Sequence, residues 1–77
     1  MNPTASTVRV GVIGFGQWGP NHVRSFSAID DCAVVRVCDA SPARLGFVRK
    51  QFRDLATTTD AAAVTQAPDV DVVVIAT

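Results

Sequence analysis

The apolar positions of the chain follow two alternating spacings. Val8, Val10 and Val12 fall two apart in VRVGVI, which predicts a strand over residues 8–13 with one apolar face. The opposite face, Arg9, Gly11 and Ile13, is mixed, and Gly11 there points to close approach by another element. GFGQWG then makes a turn. From about Trp18 to Ile29 the spacing lengthens: Val23, Phe26 and Ile29 recur at three residues, as on a helix. Pro20 suits the first turn of that helix, where its missing N–H costs nothing. Asp30 and Asp31 end it.

The alternation then repeats. AVVRVC (residues 33–38) predicts a second strand, closed by Asp39. Ser41 and Pro42 form an N-cap and first-turn pair opening a second helix, with Leu45, Val48 and Phe52 on one face. Gly46 weakens that helix by about 1 kcal/mol relative to Ala. Residues 56–59 predict a short third strand, and Asp60 caps an Ala-rich third helix running to about Gln66. Pro68 and Asp69 make a turn. VDVVVIAT (residues 70–77) is a near-continuous apolar run of the kind buried on both faces of a parallel sheet.

Strands alternating with helices imply right-handed crossovers and a parallel sheet. The fold class is therefore α/β, a partial doubly wound Rossmann fold with strand order 3-2-1-4. In that order the last strand is a flat apolar edge. The expectation is a chain truncated after its fourth strand: residues 1–7 a disordered tail, residues 8–77 the N-terminal part of a cofactor-binding domain.

Composition narrows the function. Of 77 residues, 48% are hydrophobic and 18% charged, which excludes a disordered polyelectrolyte. Seven basic and seven acidic residues cancel, which argues against nucleic-acid binding by a basic stripe. No apolar run is long enough to span a bilayer, and no basic leader precedes the first strand. Cys32 and Cys38 make no metal-ligand or CxxC spacing; they are expected as inert thiols in a reducing cytoplasm.

The chemistry concentrates in Gly14-Phe15-Gly16-Gln17-Trp18-Gly19. Glycine clusters alone are weak signals. This one follows an apolar strand, opens a helix, and precedes a strand-end acid, Asp39, twenty residues past Gly19. Gly14 permits the tight turn, Gly16 lets a diphosphate approach the backbone, and Gly19 lets helix and strand pack closely. The amides around Phe15 to Trp18 are expected to point at the phosphates, where the helix dipole favours negative charge. Asp39 is expected to accept hydrogen bonds from the adenosine ribose, and its charge repels a 2′-phosphate, favouring NAD over NADP. Arg44, five residues on, reads as a solvated helix-surface arginine that could swing toward such a phosphate. Ser41 caps its helix and can also reach the ribose. Thr77, at the end of the fourth strand, borders the same crevice. Trp18 is a wall beside the nicotinamide, a contact to a second domain, or packing at the helix start. His22 sits a turn into the helix, too far along to reach a substrate carbonyl, and Lys50 lies on a basic face. Asp69 and Asp71 read as caps or solvated loop residues. An FAD or S-adenosylmethionine site shares the same loop and acid.

The runs VGVIGFGQWGPNHVRSF, VVRVCDASPARL and DVDVVVIAT resemble the N-terminal half of the Gfo/Idh/MocA oxidoreductases, the glucose-fructose oxidoreductase and inositol dehydrogenase family. The resemblance covers about residues 8–77. It implies a Rossmann domain that binds NAD(P), a second domain for substrate and oligomer contacts, and hydride transfer between a sugar or cyclitol hydroxyl carbon and the nicotinamide. It matches Gly14, Phe15, Gly16, Gln17 and Trp18 to the diphosphate loop, Asp39 to the ribose acid, and Thr77 to the nicotinamide-side loop. The Trp18-Gly19-Pro20-Asn21 variant is similar to members acting on nucleotide-linked amino sugars. The family's Pro and His after this Thr, its Glu-Lys-Pro segment with the catalytic lysine, and its substrate-domain His and Asp have no counterpart here. The chain thus has no identifiable catalytic residue, and a sugar or nucleotide-sugar substrate requires the second domain. The rival readings are a free-standing nucleotide-binding module without chemistry and a non-functional remnant.

Overall fold

The computed structural model describes residues 7–16 and 19–76. Seven elements follow one another: β1 (Val8–Ile13), α1 (Gly19–Ser27), β2 (Cys32–Cys38), α2 (Pro42–Gln51), β3 (Ala56–Thr58), α3 (Ala62–Thr65) and β4 (Val72–Ile75). The strands form one sheet in the order β3-β2-β1-β4, all neighbours parallel, as the alternation of periods predicts.

One face of the sheet carries the main core. Val10, Val12, Phe15, Val34 and Val37 pack with Val23 from α1 and Leu45 and Val48 from α2. Burying each such side chain stabilises by roughly 1.5–3 kcal/mol. The other face is closed by α3, whose Val64 is fully buried against Gly11. A Cβ at residue 11 would run into Val64 Cγ1, so this glycine is where the helix meets the sheet.

A bulge in β2 explains a pattern that strict alternation misses. The β1 partner jumps from Val34 at Val10 to Arg36 at Gly11, leaving Val35 unpaired. Val34 and Val37 therefore both join the core, while Arg36 faces Asp69.

Several expectations need correction. Ile29 falls beyond α1, which ends at Ser27, and is 53% exposed; the chain then turns at Asp31, whose φ is +62°. Aspartate tolerates that left-handed conformation better than most residues. Thr7 is buried rather than part of a frayed tail, and residues 1–6 lie outside the described residues. β4 is shorter than its apolar run and lies at the sheet edge, so Val72 and Ile75 are exposed instead of buried on both faces. Asp69 and Asp71 are not merely solvated. Asp69 accepts from Arg36 Nε at 2.8 Å and Nη2 at 3.3 Å. Asp71 accepts from Arg9 Nε at 3.1 Å, Arg9 Nη2 at 3.2 Å and the Arg9 amide at 2.8 Å. These two forks clamp the α3–β4 turn onto β2 and β1.

Ser41 caps α2 as expected: its side chain accepts from the Arg44 amide at 3.3 Å, with Pro42 in the first turn. Asp60 Oδ1 accepts from the Ala62 amide at 3.0 Å and so starts α3. Among the described residues, no helix is long and apolar enough to cross a membrane.

Candidate functional site: the crevice at the carboxyl ends of the strands

Three backbone bonds draw the carboxyl ends of the strands together. The Gly14 amide donates to Cys38 O at 2.8 Å, the Asp39 amide to Thr58 O at 3.1 Å, and the Ala76 amide to Ile13 O at 2.9 Å. The β1–α1 loop, the end of β2 and the end of β4 thus meet at one edge. A cavity of about 480 Å³ opens there, lined among others by Gly14, Gly16, Asp39, Arg44, Thr59 and Ala76. That is within the usual range of small-ligand pockets, roughly 300–1,000 Å³.

Gly14 has φ +85° and Gly16 φ +51°, backbone that a side chain would strain. A Cβ at Gly16 would meet only Arg44 Nη1, at 3.8 Å. Its surroundings are therefore open, and backbone conformation, not crowding, calls for glycine. Gly19 differs from its expected role. A Cβ there would run into the Phe15 ring rather than into a strand, so Gly19 makes room for Phe15. Phe15 is 2% exposed and meets Phe52 edge-on, with centroids 6.4 Å apart at 66°. Its side chain belongs to the core and does not line the cavity.

Asp39 is buried and accepts three hydrogen bonds from neighbouring amides. Its Oδ2 accepts from the amides of Phe15 at 3.0 Å and Gly16 at 3.3 Å, and its Oδ1 from the Ser41 amide at 2.8 Å. Arg44 Nη1 stands 3.9 Å from Oδ2. Burial alone is the largest influence on this carboxyl and pushes its pKa up. The amides of Ser41, Gly16 and Phe15, with the Arg44 charge, outweigh it and hold the pKa below the usual aspartate value. The group is a carboxylate throughout the neutral range.

The amide expectation is corrected here. Two loop amides expected to face phosphates, those of Phe15 and Gly16, face the Asp39 carboxylate, which is the nearest anion and needs donors once buried. Gln17, Trp18 and Thr77, also expected at the cofactor, lie outside the described residues. Ser41 spends its amide on Asp39 and its Oγ on the α2 cap, and does not line the cavity. Sequence reasoning did not single out Thr59, Ala40 or Ala76, which line it. The signal for them is positional: each ends or follows a strand at the carboxyl edge. Cys38 is buried beside Asp39. Burial first, then the charges of Asp39 and Asp60, raise its pKa, so it stays a thiol. No group of three or more metal-ligating side chains occurs among the described residues.

These residues suit a dinucleotide at the adenosine end. The carboxylate offers about four acceptor positions, and the amides take three, leaving one on Oδ1. A glycine turn, a strand-end acid and a crevice at the carboxyl ends of a 3-2-1-4 sheet define a dinucleotide-binding domain of the doubly wound α/β class. A family model described as an oxidoreductase family with an NAD-binding Rossmann fold matches residues 8–77. The chain belongs to this family, the Gfo/Idh/MocA oxidoreductases.

Known relatives agree. The chain is 40% identical over 74 residues to an inositol 2-dehydrogenase of Acidothermus cellulolyticus, covering 95% of this chain and 22% of that protein. It is 44% identical over 45 residues to a glycosyl hydrolase family 109 protein of Shewanella woodyi, covering 58% of this chain and 10% of that one. Among solved structures it superposes on an oxidoreductase from Agrobacterium radiobacter in complex with NAD+, L-tartaric acid and magnesium. The TM-score is 0.82 at 30% identity, over 91% of this chain and 20% of that one. The chain thus spans about a fifth of the length of the first and third of these relatives.

Proposed function

We propose that this chain binds NAD in the crevice between Gly14, Gly16 and Asp39, as the N-terminal part of a sugar or cyclitol oxidoreductase. When bound there, NAD supplies hydride acceptance from, or donation to, a substrate carbon bearing a hydroxyl. The chain's own residues hold and orient the cofactor. Gly14 and Gly16 keep the loop low enough for a diphosphate, and Asp39 receives a ribose hydroxyl at its open Oδ1 position. Gln17, Trp18 and Thr77 complete the site on the family pattern, and Ser41 shapes it through the α2 cap. Residues 8–77 act as one unit of the cofactor domain.

The single observation that carries this reading is Asp39. A buried carboxylate at the end of β2 touches the glycine loop and borders a cavity large enough for a nucleoside. The likeness to the Acidothermus inositol 2-dehydrogenase supports a polyhydroxylated substrate. The likeness to the glycosyl hydrolase family 109 protein covers only 45 residues and adds nothing on the substrate. No residue of this chain is assigned to hydride or proton transfer, so the chain by itself is expected to bind without turnover.

Binding is tested by thermal unfolding of the purified protein with NAD, NADP or neither. At a hundredfold excess over the dissociation constant, ligand linkage adds about 2.7 kcal/mol and raises Tm. The expected order is NAD above NADP. A Tm unmoved by millimolar amounts of both refutes the reading.

A further inference from the structure

The carboxylate of Asp39 bridges the β1–α1 loop and the start of α2, in addition to the backbone bond from the Gly14 amide to Cys38 O. Its Oδ2 holds the amides of Phe15 and Gly16 together, and its Oδ1 holds the amide of Ser41. The two glycines that flank Phe15 are both left-handed, at φ +85° and +51°. Glycine adopts many other conformations as readily, so something must select these. The Phe15 ring, seated over Gly19 and against Phe52, fixes one end of the loop. The Asp39 Oδ2 oxygen accepts from both the Phe15 and Gly16 amides, and it fixes the other.

We infer that Asp39 is a positioning residue for the glycine loop, shaping the surface a diphosphate meets even where no ribose hydroxyl is available to it. The inference rests on the NAD-binding reading above and assigns the same carboxylate a second role. Of its four acceptor positions, three serve the protein and one is left for the ligand, so most of its hydrogen bonding goes to loop geometry. Asparagine cannot replace it. An amide oxygen turned to Phe15 and Gly16 leaves the NH2 facing the Ser41 amide, donor against donor; the reverse flip abandons the loop.

The probes are NAD+ and its analogue lacking both hydroxyls of the adenosine ribose, titrated into wild-type protein and Asp39→Asn. Loop positioning predicts that the substitution weakens both ligands by a similar factor, about tenfold or more. A pure ribose receptor predicts that only NAD+ weakens, and an analogue that binds wild type and variant alike overturns the inference. Ligand-free 1H–15N spectra give a second measurement. Asp39→Asn should move the Phe15 and Gly16 amide resonances and shorten their exchange lifetimes while those of Val12 and Val37 stay in place. Should the variant not fold, acid titration of the wild type replaces it: the Phe15 and Gly16 amide shifts should follow the Asp39 carboxyl. If the wild type binds neither ligand, the NAD-binding reading fails, and the spectra alone decide the loop role. Phe15 and Gly16 resonances that ignore Asp39 overturn it.

Discussion

Arg44 Nη1 lies 3.9 Å from Asp39 Oδ2, so the half-exposed guanidinium stands at the cavity rim beside a buried carboxylate. In the proposed binding mode, the pair brings the local charge near zero beside the 2′ position of the ribose. Two opposing forces would act on a 2′-phosphate there: repulsion from Asp39, softened by three amide donors, and attraction to an exposed arginine.

Arg44→Ala therefore separates the two cofactors. The side chain is 58% exposed and its contact with Asp39 is loose, so stability should change by less than about 0.5 kcal/mol. Loss of a charge-assisted contact should weaken NADP by about tenfold, and NAD by less than about threefold. Parallel fluorescence titrations with NADH and NADPH measure both. Equal losses would place Arg44 at the diphosphate instead.

The turn chemistry of the site is written locally. Gly14 and Gly16 follow from a strand running into a helix, and Asp39 from the end of the next strand. Arg44 and Phe15 are different. Arg44 looks like any helix-surface arginine until the α2 start is set against the β1–α1 loop. Phe15 reads as part of a ligand loop because its burial depends on Phe52 arriving from the far end of α2. The Arg9–Asp71 and Arg36–Asp69 forks join residues 62 and 33 positions apart, beyond any local pattern. The bulge at Val35 likewise appears only once β1 and β2 are in register. The apolar run of β4 correctly marks a parallel strand, but burial depends on neighbours that periodicity does not reveal.

Gly19→Ala tests the seat of Phe15. The new methyl would occupy the space of the ring, which is locked edge-on to Phe52. Overpacking of this kind costs about 1–3 kcal/mol. Urea unfolding should show a lower midpoint with unchanged slope, and NAD affinity should fall with it because the ring anchors the loop. An unchanged midpoint would mean that Phe15 has another place to go.

Gly11 and Val64 should behave as a coupled pair. Gly11→Ala drives a methyl into Val64 Cγ1, and α3 has only four residues with which to absorb the shift. Alone it should cost about 1–3 kcal/mol. Val64→Ala removes the obstructing methyls, so the double variant should be more stable than the sum of the single effects by about 0.5–3 kcal/mol. A double-mutant cycle in urea gives the coupling directly, and strict additivity would contradict the close packing of α3 on β1.

Acid should reveal which carboxylates the fold uses. Hydrogen bonds from Arg36 lower the pKa of Asp69, and those from Arg9 lower that of Asp71; in Asp39 the amide bonds and Arg44 overcome the opposing pull of burial. In each case the folded pKa lies below the unfolded value of roughly 3.9. The folded chain then binds fewer protons than the unfolded one, so this stability is present above that value and lost as pH falls through the folded pKa values. Unfolding free energy should be level between pH 5 and 7 with respect to these groups and fall below about pH 4. Salt distinguishes the three, since at 1 M the screening length is about 3 Å. The forks on Asp69 and Asp71 are part-exposed and should lose much of their contribution, whereas Asp39 is shielded among amides. At 1 M NaCl the acid-labile stability that remains should belong mainly to Asp39, and Asp39→Asn should flatten the curve below about pH 4. A variant whose acid limb still parallels the wild type under those conditions would show that the three amide bonds to this carboxylate do not hold the fold together.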